Sequence, residues 1–125
     1  MIDVIGIGIG PFNLSLATLL QNKDCGLTSA FFEKKESFSW HDGMLMPDTT
    51  LQVPFLADLV TMVEPTSRFS FLNYLIETKK IFQFYFRESF FLPRLEYNDY
   101  CRWVCEQLDN LYFGYHVKSV KAIAE

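Results

Sequence analysis

Apolar and polar residues are arranged differently in successive stretches of this chain, and each arrangement predicts an element. At the N-terminus, Ile2, Val4 and Ile5 form a short, mostly β-branched run that enters a cluster of glycines at Gly6, Gly8 and Gly10. From Pro11 to Gln21 the apolar residues Leu14, Leu16, Ala17, Leu19 and Leu20 lie nearly all round a helix. That distribution predicts a helix packed on a sheet and covered on its far side. Asn22–Leu27, with Asp24 and Gly26, reads as a turn, and Thr28–Glu33 as a second strand that ends in an acid. Ser37–Met44 has neither period and reads as a loop, whereas Leu51–Val60 sets polar Gln52 and Asp58 among apolar neighbours.

Further on, Pro65-Thr66-Ser67 offers an N-cap for a helix with Phe71, Leu72, Leu75 and Ile76 on one side, ended by Lys79-Lys80. Phe82–Leu92 is strongly aromatic and predicts core or a subunit contact. Asn98 is placed to cap another helix, with Tyr97, Tyr100, Cys101, Val104, Cys105 and Leu108 at helical spacing. Leu111–Ile123 reads as one or two strands.

A strand, a tight glycine turn, a helix and a second strand form the start of a dinucleotide-binding βαβ unit, so the fold class is α/β. Gly6 is expected to take the dihedrals of a sharp turn. Gly8, lacking a Cβ, lets the backbone approach a pyrophosphate, and the amides opening the helix then face the phosphates. Counted from Gly6 the third position of G-x-G-x-x-G is Pro11, and counted from Gly8 it is Asn13. Proline suits the first turn of a helix, which favours the frame Gly6, Gly8, Pro11. A glycine-rich hairpin is the alternative, but a hairpin does not require the helical pattern that follows. Glu33 stands 25 positions after Gly8, near the spacing of about 20 at which a carboxylate meets the adenosine ribose. A solvated glutamate at a strand end is the competing reading.

Composition narrows the function classes. The 125 residues are one domain's worth of chain; half are hydrophobic and 17% aromatic, thirteen of them Phe, ample material for a core. A net charge of −4 leaves no basic footprint for nucleic acid. Three cysteines, odd in number and without a dense pattern, point to a reducing compartment. Cys101 and Cys105 share a helical face, but with two His in the chain they read as small buried hydrophobes rather than metal ligands. Neither a signal peptide nor an apolar run of membrane-spanning length is evident, so a cytoplasmic protein is expected. Trp40 and His41 are adjacent, which suits one packing while the other meets a ligand.

Several blocks together carry a family resemblance: Gly8-x-Gly10-Pro11-x-Asn13-Leu14, Trp40-His41, Gln52, Phe55-Leu56, Asp58-Leu59-Val60, Pro65-Thr66-Ser67, Phe71-Leu72-Asn73-Tyr74-Leu75, Pro93-Arg94-Leu95-Glu96-Tyr97 and Tyr100-x-Arg102-Trp103. From Asp3 to about Val120 the sequence resembles the N-terminal portion of the lysine/ornithine N-monooxygenases, flavin enzymes that hydroxylate side-chain amines for hydroxamate siderophores. The resemblance implies that residues 1–125 are the first segment of a Rossmann-like FAD-binding domain, with a mainly helical insert lining the flavin. On the same ground an NADPH-binding domain and a C-terminal FAD segment are expected to be absent, and the chain inactive by itself. FAD, NADPH, O2 and a small-molecule amine are the implied cofactors and reactants, and a homo-oligomer the implied assembly.

The resemblance also assigns residues. The turn comprising Gly6, Gly8, Gly10, Pro11, Phe12, Asn13 and Leu14, with Glu33, would hold the adenosine diphosphate end of FAD, and Lys34 would lie beside the ribose. Trp40, His41, Met44 and Gln52 match positions lining the flavin. Arg94 matches an arginine near its ring system, on which a planar guanidinium can lie flat. No catalytic nucleophile or acid–base pair is required of this segment, because the flavin carries the hard step. One position departs from the pattern. The block Phe55-Leu56-x-Asp58-Leu59-Val60 of the amino-acid hydroxylases typically has a lysine at x that meets the substrate carboxylate; here x is Ala57. A buried carboxylate without a cation is costly, so a substrate without one (a diamine or histamine) is expected ahead of L-lysine or L-ornithine, unless another residue supplies the cation. A different Rossmann-type flavin or nicotinamide enzyme, or a non-catalytic truncated product, are the other readings.

Overall fold

The computed structural model describes residues 1–22 and 25–123. β1 (Val4–Ile7) leads through the glycine turn into α1 (Pro11–Asn22), and β2 (Ser29–Glu33) returns parallel to β1, with Val4 opposite Ser29 and Ile7 opposite Phe32. Pro11 is the first residue of α1, where its missing N–H is no loss. The turn expected over Asn22–Leu27 falls partly outside the described residues; within them, Gly26 takes a left-handed φ of 68°. β5 (Leu111–Phe113) adds to the far side of β2, again parallel, giving the strand order β1-β2-β5. The three strands end at one edge, which brings the glycine turn, Glu33 and the chain after Phe113 to the same side.

Between β2 and β5 lies the insert: a single 3-10 turn (Asp42–Met44), β3 (Thr50–Pro54), α2 (Phe71–Glu77), α3 (Ile81–Phe86), β4 (Phe91–Pro93) and α4 (Arg94–Cys105). It is mainly helical, as expected, but β3 and β4 also pair as a small antiparallel sheet. Thr50 faces Pro93 and Pro54 faces Phe91, so β3 carries extra residues and a bulge. The bulge removes the strict alternation by which a strand is recognised in sequence.

One core joins sheet and insert. Leu14 and Ala17 of α1 and Phe31 of β2 pack in the same cluster as Val60, Phe69, Phe71, Leu75, Tyr100 and Val104. Tyr100 is central. Its ring meets Phe71 edge-on at 5.5 Å and Tyr74 at 5.6 Å. Its hydroxyl accepts from the Leu59 amide at 3.3 Å and donates to the Phe69 carbonyl at 2.6 Å, so two buried backbone groups are satisfied by one side chain.

Several sequence-based boundaries move. α2 is capped by Ser70, whose side chain accepts from the Asn73 amide, not by Thr66 or Ser67; Ser67 instead accepts from Phe69 in the preceding turn. α4 begins at Arg94, so Asn98 is not a cap. It is buried inside the helix, where Oδ1 accepts from the Trp40 amide at 3.2 Å. Tyr97, Tyr100, Cys101 and Val104 form the buried face of α4, and burial pushes the Cys101 thiol well above its ordinary pKa. The far side of α1 is not covered: Phe12 and Leu16 are exposed. Phe82–Leu92 is not a core segment. Leu92 is buried, but Phe82, Tyr85, Phe86 and Phe90 are exposed. Leu111–Ile123 contributes one strand, not two.

Gly6 requires a different explanation from the one its motif suggests. It lies within β1, paired with Phe31, and is not among the residues with positive φ. A Cβ there would meet Cδ1 of Phe31 at 2.0 Å. The position is glycine because a ring occupies the space, not because the chain turns there.

Candidate cofactor-binding site

The turn between β1 and α1 is held from both sides. Gly8 has a φ of 86°, a conformation side chains disfavour, and its amide donates to Phe32 on β2 at 2.7 Å. Asn13, one turn into α1, donates through Nδ2 to the carbonyl of Gly8 at 2.8 Å and of Ile7 at 3.3 Å. From the end of β2, Glu33 Oε2 accepts from the Ile9 amide at 2.9 Å, and Oε1 accepts from the Lys35 amide at 3.0 Å. Partial burial, the largest influence on this carboxyl, raises its pKa. The two amides and the Lys35 charge together outweigh it and hold Glu33 below the usual carboxylate range. Gly10 faces open space, and among the described residues the amides of Gly10, Phe12 and Asn13 have no partner. These are the orphan donors of a helix start, and they suit an anion.

Beside the turn, Ile7, Gly8, Phe32, Glu33, Lys34, Tyr115, His116 and Val117 line a crevice of about 300 Å³. It lies outside the carboxyl ends of the parallel strands, where open α/β sheets bind ligands. Phe32 and Tyr115 form its aromatic flank, and Tyr112 stacks on Phe32 from outside the lining at 5.2 Å. The Tyr115 amide donates to the Glu33 carbonyl at 2.8 Å, which brings Tyr115–Val117 over the crevice. These three residues had no signal in the sequence, because pairing of β5 with β2 across some eighty positions decides their place.

The second group of expected residues lies on the insert. Trp40 is half-buried against Tyr97 at 5.5 Å, and His41 is exposed with a left-handed φ of 53°. The two rings do not diverge as adjacent side chains on a regular element would; their centroids are 4.6 Å apart. Met44 closes the 3-10 turn and is exposed. Gln52 projects from β3 to solvent, and the Arg94 amide donates to Thr49 at 2.9 Å, so the start of α4 is fastened beside β3. Ala57 is exposed on the loop after β3. Asp58 pins that loop: Oδ1 accepts from the Val60 and Thr61 amides, and Oδ2 from the Phe71 amide and the Thr61 hydroxyl. Ser15 of α1 donates to the Leu59 carbonyl. The loop carrying Ala57 is therefore anchored one turn along the helix that opens at the glycine turn.

Comparison with known proteins supplies the family. Residues 1–125 match the family described as L-lysine 6-monooxygenase/L-ornithine 5-monooxygenase. The chain belongs to that family. It is 54% identical to the putrescine N-hydroxylase of Shewanella oneidensis over 94% of its own length and 24% of the relative's. Among solved structures, the FAD-bound cadaverine monooxygenase DfoA of Erwinia amylovora superposes with a TM-score of 0.87 at 50% identity, covering 90% of this chain and 26% of DfoA. The Kutzneria ornithine N-hydroxylase KtzI, solved with reduced FAD, NADP+ and L-ornithine, gives 0.88 at 44% identity, covering 91% and 28%. The chain thus spans about a quarter of the length of these family members, and its α/β fold with parallel strands at the start is that of their N-terminal part. Among the described residues no helix is long and apolar enough to cross a membrane.

Proposed function

We propose that this chain supplies the adenosine diphosphate end of an FAD site, and part of the wall around the flavin, in an NADPH-dependent monooxygenase that N-hydroxylates a primary amine. The observation that carries the reading is the turn at Gly8. It joins a left-handed glycine, unpartnered amides at the start of α1 and an ionised Glu33 beside a crevice of about 300 Å³. These residues fit the group. The amides of Gly10, Phe12 and Asn13 would hold the pyrophosphate, Glu33 the ribose hydroxyls through its remaining lone pairs, and Lys34 would lie beside them. When bound, the flavin, reduced by NADPH, supplies the oxygen-activating chemistry. Trp40, His41, Met44, Gln52 and Arg94 would form a wall that orients the flavin and restricts water at it. Residues 1–125 then act as the first segment of the FAD-binding domain, in a cytoplasmic homo-oligomer.

The substrate is proposed to be a diamine. Ala57 presents no charge where the family's amino-acid hydroxylases typically present lysine, and identity to the proteins named for putrescine and cadaverine is 54% and 50%, against 44% for the ornithine enzyme KtzI. The test is hydroxylamine formation, not NADPH oxidation, by a full-length polypeptide carrying this sequence. Putrescine, cadaverine and histamine are compared with L-lysine and L-ornithine. Higher kcat/KM on a diamine is expected, and Ala57→Lys should shift activity towards ornithine. Preference of the unsubstituted enzyme for either amino acid overturns the substrate assignment.

A further inference from the structure

The contacts of Asn13 and Glu33 converge on one peptide unit. The carbonyl of Gly8 and the N–H of Ile9 are its two ends. Asn13 Nδ2 holds the first at 2.8 Å, and Glu33 Oε2 holds the second at 2.9 Å. Asn13 comes from the helix after the turn and Glu33 from the strand beyond it, so this peptide plane is gripped from opposite sides. We propose that Asn13 is a positioning residue that, with Glu33, locks the orientation of the Gly8–Ile9 peptide and so readies the turn for a pyrophosphate. The inference rests on the FAD reading above, but gives the Asn13 side chain a role through the backbone of the turn rather than a contact with the cofactor.

The physical need for a lock comes from glycine itself. A residue with φ of 86° and no side chain has alternative conformations close in energy. Without its two bonds the Gly8–Ile9 plane is free to rotate, and the amides that follow it lose the fixed direction in which they await an anion. The amide nitrogen of Asn13 holds two carbonyls, and the acid at the end of β2 holds the N–H. The Asn13 side chain is thereby committed to the turn, and the Ile9 amide is not one of the donors left for phosphate.

The lock is tested in a full-length polypeptide carrying this sequence, with Asn13→Ala, Asn13→Asp, Glu33→Ala and the Asn13→Ala/Glu33→Ala pair. Amide exchange at Ile9 in the cofactor-free protein is the first measurement, and flavin fluorescence titration with FAD the second. Ile9 exchange should quicken by about tenfold in Asn13→Ala, although Asn13 does not touch that amide, and FAD affinity should fall by a similar factor. Asn13→Asp should bind FAD worst at pH 8, where a carboxylate faces two carbonyls, and recover as the pH is lowered far enough for it to gain a proton to donate, which the two carbonyls favour. Because freeing either end is enough to release the plane, the pair should fall little below the weaker single variant. Should Asn13→Ala fail to fold, the Asn13→Asp pH profile decides. Unchanged Ile9 exchange, an Asn13→Asp affinity indifferent to pH, or full additivity of the pair overturns the lock. If the unsubstituted protein binds no FAD, the functional reading fails instead, and Ile9 exchange still decides the lock.

Discussion

Gly6 and Phe31 stand opposite each other on adjacent parallel strands, and the ring of Phe31 fills the space where a Gly6 side chain would be. Phe31 is fully buried under α1, so it has nowhere to move. Gly6→Ala is expected to cost about 1–3 kcal/mol, the usual range for overpacking a tight core. Thermal unfolding of the variant checks it, and an unchanged midpoint would show that the strands can part to admit a methyl group.

Gly8 is constrained differently. Its nearest side-chain atom to an added Cβ, Glu33 Oε2, is 4.0 Å away, so space for a methyl group exists. The penalties are the left-handed φ, about 1–2 kcal/mol for a residue with a Cβ, and the loss of close approach to a phosphate. Gly8→Val in a full-length polypeptide should therefore be purified without flavin while its far-ultraviolet dichroism stays near wild type. Retention of the FAD absorption spectrum would place the pyrophosphate elsewhere.

Alkali should weaken the insert, and one cluster adds its share to that of the buried Tyr97, Tyr100 and Cys101 and the half-buried Cys105, whose pKa values burial also raises. The Tyr74 hydroxyl donates to Glu96 at 3.0 Å, while Lys80 donates to both Tyr74 and Glu96 at 3.1 Å. Burial is the main cause that pushes Tyr74 up to about 12; Lys80 opposes it and the Glu96 charge adds to it. Burial alone would lower Lys80, but its bonds to Tyr74 and Glu96 outweigh that and raise it. Both groups have folded pKa values above their unfolded ones. Their stabilisation is therefore present in full below about pH 10 and is lost as the pH rises towards about 12. Urea unfolding across pH 9–12 should show this decline, and Tyr74→Phe should make it shallower by the share of this cluster. An equally steep decline in the variant would assign the loss to other groups.

The aromatic surface of α3 should drive association. Phe82, Tyr85 and Phe86 are 73%, 71% and 75% exposed, and with Leu72, Ile81 and Phe84 they line a wholly apolar cleft. The chain exposes 8534 Å² in total, whereas a compact monomer of its mass exposes about 6,900 Å². Patches of this kind mark contact surfaces. Sedimentation of the 125-residue chain should show association that Phe82→Asp and Phe86→Asp weaken by tenfold or more. Monomeric behaviour of the unsubstituted chain at high concentration would contradict this.

Elements whose signals are local are legible in the order of residues alone. The βαβ start, the helix opening at Pro11, the acid at the end of β2 and the buried face of α4 belong to this group, because strand, turn and helix periods are written in neighbouring residues. The motif blocks likewise place the chain in its family, and Ala57 stands out against the lysine typical of the amino-acid hydroxylases. Other features depend on groups distant along the chain, and folding alone settles them. Phe31, twenty-five positions on, is the reason for glycine at position 6. Asn98 reads as a cap but serves as a buried acceptor for Trp40, fifty-eight positions away. Ser70 rather than Ser67 caps α2, because Asp58 already holds the Phe71 amide and sets where the helix begins. The crevice wall at Tyr115–Val117 exists because β5 crosses back to pair with β2. In each case the deciding energy is a contact or hydrogen bond between segments that only folding brings together, and a pattern read along the chain carries no record of it.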